Sequence, residues 1–156
     1  FVIMKGENIM SLINELRIKS NNSDNKKQEV IAEIKEYFDN YLNSDQLENF
    51  LRANIKESDI KERKKFMMIK FWEYYAGCST TNFYCGGKTW YNPENKEGWA
   101  SHYYKGIELK TIHNEICEYL TQRLISKMKD LEFTLLSQED KRGKLDYYEK
   151  HFYFGW

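Results

Sequence analysis

Phe66-Met67-Met68-Ile69-Lys70-Phe71-Trp72-Glu73-Tyr74-Tyr75 reads two ways, and the fold turns on which is taken. Positions 67, 68, 71, 72 and 75 share one face of a helix, with Gly77 just past its end, whereas 66, 68, 72 and 74 fit a strand. The helical reading is preferred, because Ser58 is placed to cap a helix that starts near 59 and runs into this stretch.

Upstream, the pattern is helical throughout. Val30, Ile31, Ile34, Tyr37, Phe38, Tyr41 and Leu42 form the clearest apolar stripe in the chain, opened by Ser23 or Asp24 as N-cap and closing near Asn43. Ile9, Leu12, Ile13 and Leu16 fall at i, i+3, i+4 and i+7, and Asn21-Asn22-Ser23-Asp24-Asn25 is expected to break the chain, giving a helical hairpin. Ser44 sets up a further helix at about 45–54.

Downstream, Thr80 to Cys85 and Lys88 to Tyr91 flank Gly86-Gly87, a pair that supplies the positive φ angles of a two-residue hairpin turn. Asn92 to Gly106 holds the only proline, Pro93, and reads as an ordered loop carrying Trp99, Tyr103 and Tyr104. Leu109, Ile112, Ile116, Leu120, Leu124, Met128 and Leu131 then predict a long helix over about 107–131. Phe133 to Leu136, a charged turn at 139–144 and Tyr147 to Phe154 complete a second hairpin. The expected fold is a single α+β domain over 1–156, its helical part at 1–65 and its aromatic-rich part at 66–156: a small antiparallel sheet of two hairpins on a long helix.

Composition excludes several classes. The 156 residues carry 24 Lys and Arg against 24 Asp and Glu, so the broad positive field of a phosphate-binding protein is absent unless the basic residues segregate. Cutting after Lys65 leaves 12 of each sign on both sides. Apolar runs such as Phe66 to Ile69 are only four residues long, far below the roughly 20 needed to span a bilayer, so no membrane partner is expected. The start, Phe1-Val2-Ile3-Met4-Lys5, is too short and wrongly charged for a secretory signal, and Met4 and Met10 are the candidate natural starts. Three cysteines do not close a disulfide framework, which points to a reducing, cytoplasmic compartment. Nineteen Lys and thirteen Asn against four Ala suggest an AT-rich source, a low-GC bacterium or its phage.

Two sets of residues carry candidate chemistry. Cys78, Cys85, His102, His113 and Cys117 offer the thiolate and imidazole ligands of tetrahedral Zn²⁺, with His113 and Cys117 one helical turn apart on one face. Their alternative is structural, the thiols as small buried hydrophobes and the imidazoles as hydrogen-bonders. No cofactor is therefore expected unless these side chains converge on zinc. A thiol nucleophile at Cys78 or Cys85 with His102 or His113 as base is the corresponding enzymatic reading. Phe83-Tyr84-Cys85-Gly86-Gly87, Trp90, Pro93, Trp99-Ala100-Ser101-His102 and Cys117 resemble, over roughly 40 residues, the zinc-binding repeat of inhibitor-of-apoptosis proteins. The resemblance implies one zinc held near a Cys-Gly-Gly turn. It departs at Asn82, where that repeat has a cysteine, and in the fifteen-residue step from His102 to Cys117, so membership does not follow.

The second set is aromatic. Twenty of the 25 Phe, Trp and Tyr residues lie after Lys65, more than a small core readily holds, and Tyr and Trp anchor interfaces. Trp90, Trp99, Tyr103, Tyr104, Tyr148, Phe152, Phe154 and Trp156 are the expected contact residues, for another protein or a homodimer partner. The expected function is a non-enzymatic macromolecule-binding protein that inhibits by protein–protein contact. The alternatives are a nucleic-acid-binding protein, using Lys61 to Lys65 and stacked rings, or a small zinc- or thiol-dependent enzyme.

Overall fold

The computed structural model describes residues 2–73, 81–95, 102–142 and 148–156. In chain order the elements are α1 (Val2–Asn43), α2 (Gln46–Asn54), α3 (Glu57–Glu62), β1 (Lys64–Glu73), β2 (Thr81–Cys85), β3 (Lys88–Trp90), β4 (Tyr103–Tyr104), β5 (Ile107–Glu108), α4 (His113–Asp130), β6 (Thr134–Arg142) and β7 (Tyr148–Gly155). Five strands form an antiparallel sheet in the order β3-β2-β1-β7-β6, and β4 and β5 form a separate two-stranded ribbon. The α+β architecture and both hairpins match the reading of the sequence.

As far as Glu73 the ambiguous stretch is the central strand and not a helix; Tyr74, Tyr75 and Gly77 lie outside the described residues. Arg63, at φ 57°, ends α3 in the left-handed region and re-aims the chain into β1. Met67, Ile69 and Phe71 are buried on one face, while Phe66, Met68, Lys70 and Trp72 are half-buried on the other. A strand with apolar residues on both faces loses the alternation that marks a strand, and the run then imitates a helix. Pairing with β2 on one side and β7 on the other settles the competition in favour of the sheet.

Three other boundaries differ from expectation. Asn21 to Asn25 do not break the chain, and α1 is one continuous helix of 42 residues. These residues are only a few tenths of a kcal/mol poorer than average helix formers, and the segment has no proline or glycine to interrupt the backbone. The helix expected from 107 begins at His113, because Ile107–Glu108 pairs in the ribbon and Leu109–Thr111 forms a 3₁₀ turn. The charged run at 139–142 is strand, paired with β7 as far as Arg142.

One core of buried side chains draws on α1, α2, α4 and the inward face of the sheet. α1 and α4 run parallel: Lys35 meets Glu115 at 3.7 Å, Tyr119 Oη donates to Asp39 at 2.6 Å, and Arg123 donates to both Asp39 (3.0 Å) and Asn43 (2.7 Å). The tip of the β2–β3 hairpin is wedged against the helices. Gly86 and Gly87 have φ of 49° and 104°, a Cβ on Gly87 would lie 2.7 Å from the Phe50 ring, and Tyr41 Oη donates to the Gly86 carbonyl at 2.8 Å. Tyr37 Oη donates to the Thr89 carbonyl at 2.8 Å, covering part of the β3 edge.

Candidate binding surfaces

The eight aromatic residues singled out in the sequence divide sharply. Phe152 and Phe154 are fully buried and stacked at 6.0 Å, and Tyr148 is buried beside them on β7. Trp90 is buried between Phe83 (5.8 Å) and Tyr104 (5.4 Å), and the Tyr104 hydroxyl donates to Glu33 on α1. These five rings belong to the core. Tyr103 and Trp156 are exposed. Trp99 lies outside the described residues.

Among the described residues the cysteines and histidines do not gather into one ligand set. Cys85 and Cys117 are unpaired and wholly inside the core, where burial pushes both thiols upward in pKa and holds them protonated. A protonated, inaccessible thiol is neither nucleophile nor ready ligand. His102 is buried with Nδ1 2.8 Å from Thr81 Oγ1. The His113 ring stacks on Phe71 at 4.6 Å, and its Nδ1–H donates to the Lys110 carbonyl at 2.6 Å. Among the described residues no three His, Cys, Asp or Glu side chains form a group that could hold a metal. Cys78 lies outside the described residues, so its place in the expected zinc or thiol site is not tested.

A surface the sequence reading did not single out lies around Phe133. Helix α4 ends in a two-bond cap: the Phe133 N–H donates to the Met128 carbonyl (2.9 Å) and the Glu132 N–H to the Lys129 carbonyl (2.9 Å), with Glu132 at φ 70°. This is the Schellman arrangement, which turns the chain sharply and holds the residue after the turn against the last helical turn. Phe133 is thereby fixed at the meeting point of two shallow clefts. One, of about 200 Å³, is lined by Leu51, Arg52, Ile55, Leu131 and Phe133 with Glu48; the other, of about 180 Å³, by Ile125, Lys129, Phe133, Thr134 and Leu135.

Beside the clefts the surface stays apolar. Trp156 packs edge-on against Phe133 at 5.7 Å and remains 42% exposed, its backbone N–H bonded to the Arg63 carbonyl at 3.3 Å. Leu136 is 56% exposed and sits where the β6–β7 register slips between Leu135 and Ser137. Its side chain lies over Gly155, where a Cβ would come within 2.8 Å of Leu136 Cδ1. The rim is charged: Arg52 pairs with Glu48 at 2.9 Å, and Lys129 borders the second cleft. The signal was in the sequence, since Leu135 and Leu136 in succession violate the alternation of a half-buried strand and mark either a bulge or an exposed apolar residue.

The outward face of the sheet is a second surface. Cross-strand register places Phe66 beside Tyr153, Met68 beside His151, and Lys70 between Tyr84 and Glu149. Lys64 lies over the Tyr153 ring at 5.3 Å and Lys70 over Trp72 at 5.3 Å. His151 pairs with Glu149 on the same strand, and Glu139 stands opposite His151. The face therefore mixes rings with both signs of charge. Comparison with family models, curated proteins and solved structures finds no match for this chain.

Proposed function

We propose that the chain is a non-enzymatic macromolecule-binding protein that takes a protein partner on the corner around Phe133. The observation that carries this reading is the pair of apolar clefts meeting at one capped aromatic, with Trp156 and Leu136 exposed beside them. Interfaces concentrate their energy in such sites, where a partner's apolar side chain enters a desolvated pocket ringed by polar groups. No helix among the described residues is long and apolar enough to cross a membrane. The two unpaired core thiols fit a reducing compartment, and the reading places the protein in the cytoplasm of a low-GC bacterium or its phage, acting by covering and so inhibiting its partner.

A photo-crosslinking side chain placed at position 133 tests this in cells of the source type. One discrete protein adduct is expected, lost when Leu131→Glu charges the cleft floor, and absent when the same group replaces Tyr91, which is 70% exposed elsewhere. Labelling at 133 no different from that at 91 would remove the reading.

Nucleic-acid binding has one specific observation behind it, the lysine–ring pairs on the outward sheet face. Glu139 and Glu149 on the same face weigh against phosphate. Titration of a fluorescent single-stranded oligonucleotide decides between the two: a nucleic-acid protein binds it with an affinity that falls steeply with salt.

A further inference from the structure

We propose that α1 pairs antiparallel with α1 of a second copy of this chain, making the protein a homodimer joined by its N-terminal helical arms. From Ser11 to Glu29 every residue except Lys27 is exposed, and the core begins abruptly at Val30. These 19 positions form a helical arm of about 28 Å that the other described elements meet only at its base, where the Gly106 turn lies beside the Lys26 side chain. Such a helix draws little stability from its own sequence, since most helical stability in proteins comes from packing an amphipathic face. This arm has that face: Leu12, Ile13 and Leu16 are 55%, 42% and 53% exposed and, at 100° per residue, fall in the same sector as Val30, Ile31 and Ile34.

The occupant follows from the spacing. Apolar positions 9, 12, 13 and 16 are separated by three, one and three residues, a pattern that is the same in either direction. A two-fold axis through the midpoint of 12 and 13 therefore sets position 9 against 16 and Leu12 against Ile13 twice over, as a self-complementary contact requires. In that register no charged position between 5 and 20 stands directly opposite a like charge. In this register the paired stretch runs over positions 5–20 of each arm and stops short of Val30, where the core begins. A parallel pair would instead bring the two bodies side by side at one end. Leu12, Ile13 and Leu16 of two arms make a small interface, so the dimer dissociates on dilution. This surface lies at the opposite end of α1 from the Phe133 corner and does not depend on that corner being used.

Sedimentation equilibrium of the full chain tests the pairing. The expected result is a mass of twice 18.9 kDa that falls toward the monomer on dilution. Leu12→Glu with Leu16→Glu should give monomer at every concentration with an unchanged near-ultraviolet spectrum of the body. Register is read by oxidation in a Cys78→Ser background: Ile13→Cys should form a covalent dimer and Asn22→Cys should not, the latter pair being about 28 Å apart along the axis. A wild-type chain that stays monomeric at the highest concentration reached, a dimer that survives both charge substitutions, or a cross-link at Asn22→Cys overturns the proposal. So does a monomeric arm that gains helical signal only on lipid vesicles.

Discussion

The two halves of α1 obey the same periodicity and meet opposite fates. Leu12, Ile13 and Leu16 recur on the face that later carries Val30, Ile31, Ile34 and Phe38, yet the first group is exposed and the second wholly buried. Nothing in the residue types separates them. What separates them is where the sheet and α4 stop: the ribbon residues Tyr104 and Lys105 bond Glu33, and the last described approach further up the helix is the Gly106 turn beside the Lys26 side chain. Periodicity thus fixes the local conformation and the apolar face, while the extent of the neighbouring elements fixes whether that face is core or interface.

The sharpest way to break this comparison is to truncate the buried half. Phe38→Ala removes a ring with no solvent exposure from the centre of the core and is expected to cost about 3–5 kcal/mol, read from urea unfolding. A loss below 1 kcal/mol would mean that the second half is packed no better than the first. Gly87→Ala probes the same half from the hairpin it holds. The new Cβ meets Phe50 at 2.7 Å in a backbone at φ 104°, and about 2–3 kcal/mol should be lost from strain and displaced packing. Wild-type stability would show that the hairpin tip is not wedged against the helices.

How much of this was legible in the sequence depends on whether a segment's conformation was fixed locally. Gly86-Gly87 was legible, because positive φ at two successive residues has few other solutions. The stripe from Val30 to Leu42 was legible because its period is unambiguous. Residues 66–73 were not, since a strand buried by neighbours on both sides has no alternation to display, and only its pairing with β2 and β7 distinguishes it from a helix. Four of the expected contact residues lie inside for a related reason. Trp90, Tyr148, Phe152 and Phe154 are interior because of the sheet order, a non-local fact, whereas Phe133 is held half-buried at the edge of the core by a cap at Glu132 that lacks the usual glycine. The zinc reading rested on residue types, the one-turn spacing of His113 and Cys117 and a partial resemblance, whereas Cys85 and Cys117 sit in the apolar core and His102 and His113 bond to Thr81 and Lys110.

The boundary between the halves carries a pH dependence. Burial opposes the charge on Glu33, but bonds from Tyr104 and Lys105 outweigh it and hold the carboxyl below its ordinary range. A carboxylate depressed in the folded state adds stability above its unfolded value, and that stability is lost as pH falls through the folded value. Wild type should therefore weaken more than Glu33→Gln between neutral pH and the region below about 4, by a small amount because the pair is largely solvated. Parallel pH profiles of unfolding midpoint for the two proteins would show that the ribbon does not fasten α1 at this point.

The smallest expected effect bears most directly on what the two halves mean. Leu16→Ala makes the same kind of deletion as a core truncation, on the same helical face, but in a side chain that is 53% exposed. In dilute solution, where arms are unpaired, it should change the unfolding free energy of the body by no more than about 0.5 kcal/mol, as a surface substitution does. At high concentration the same substitution should lower the dimer fraction, because there the leucine is covered. A cost near that of Phe38→Ala in the dilute monomer would mean that the arm folds back onto the body, and the difference between the halves of α1 would then be one of degree only.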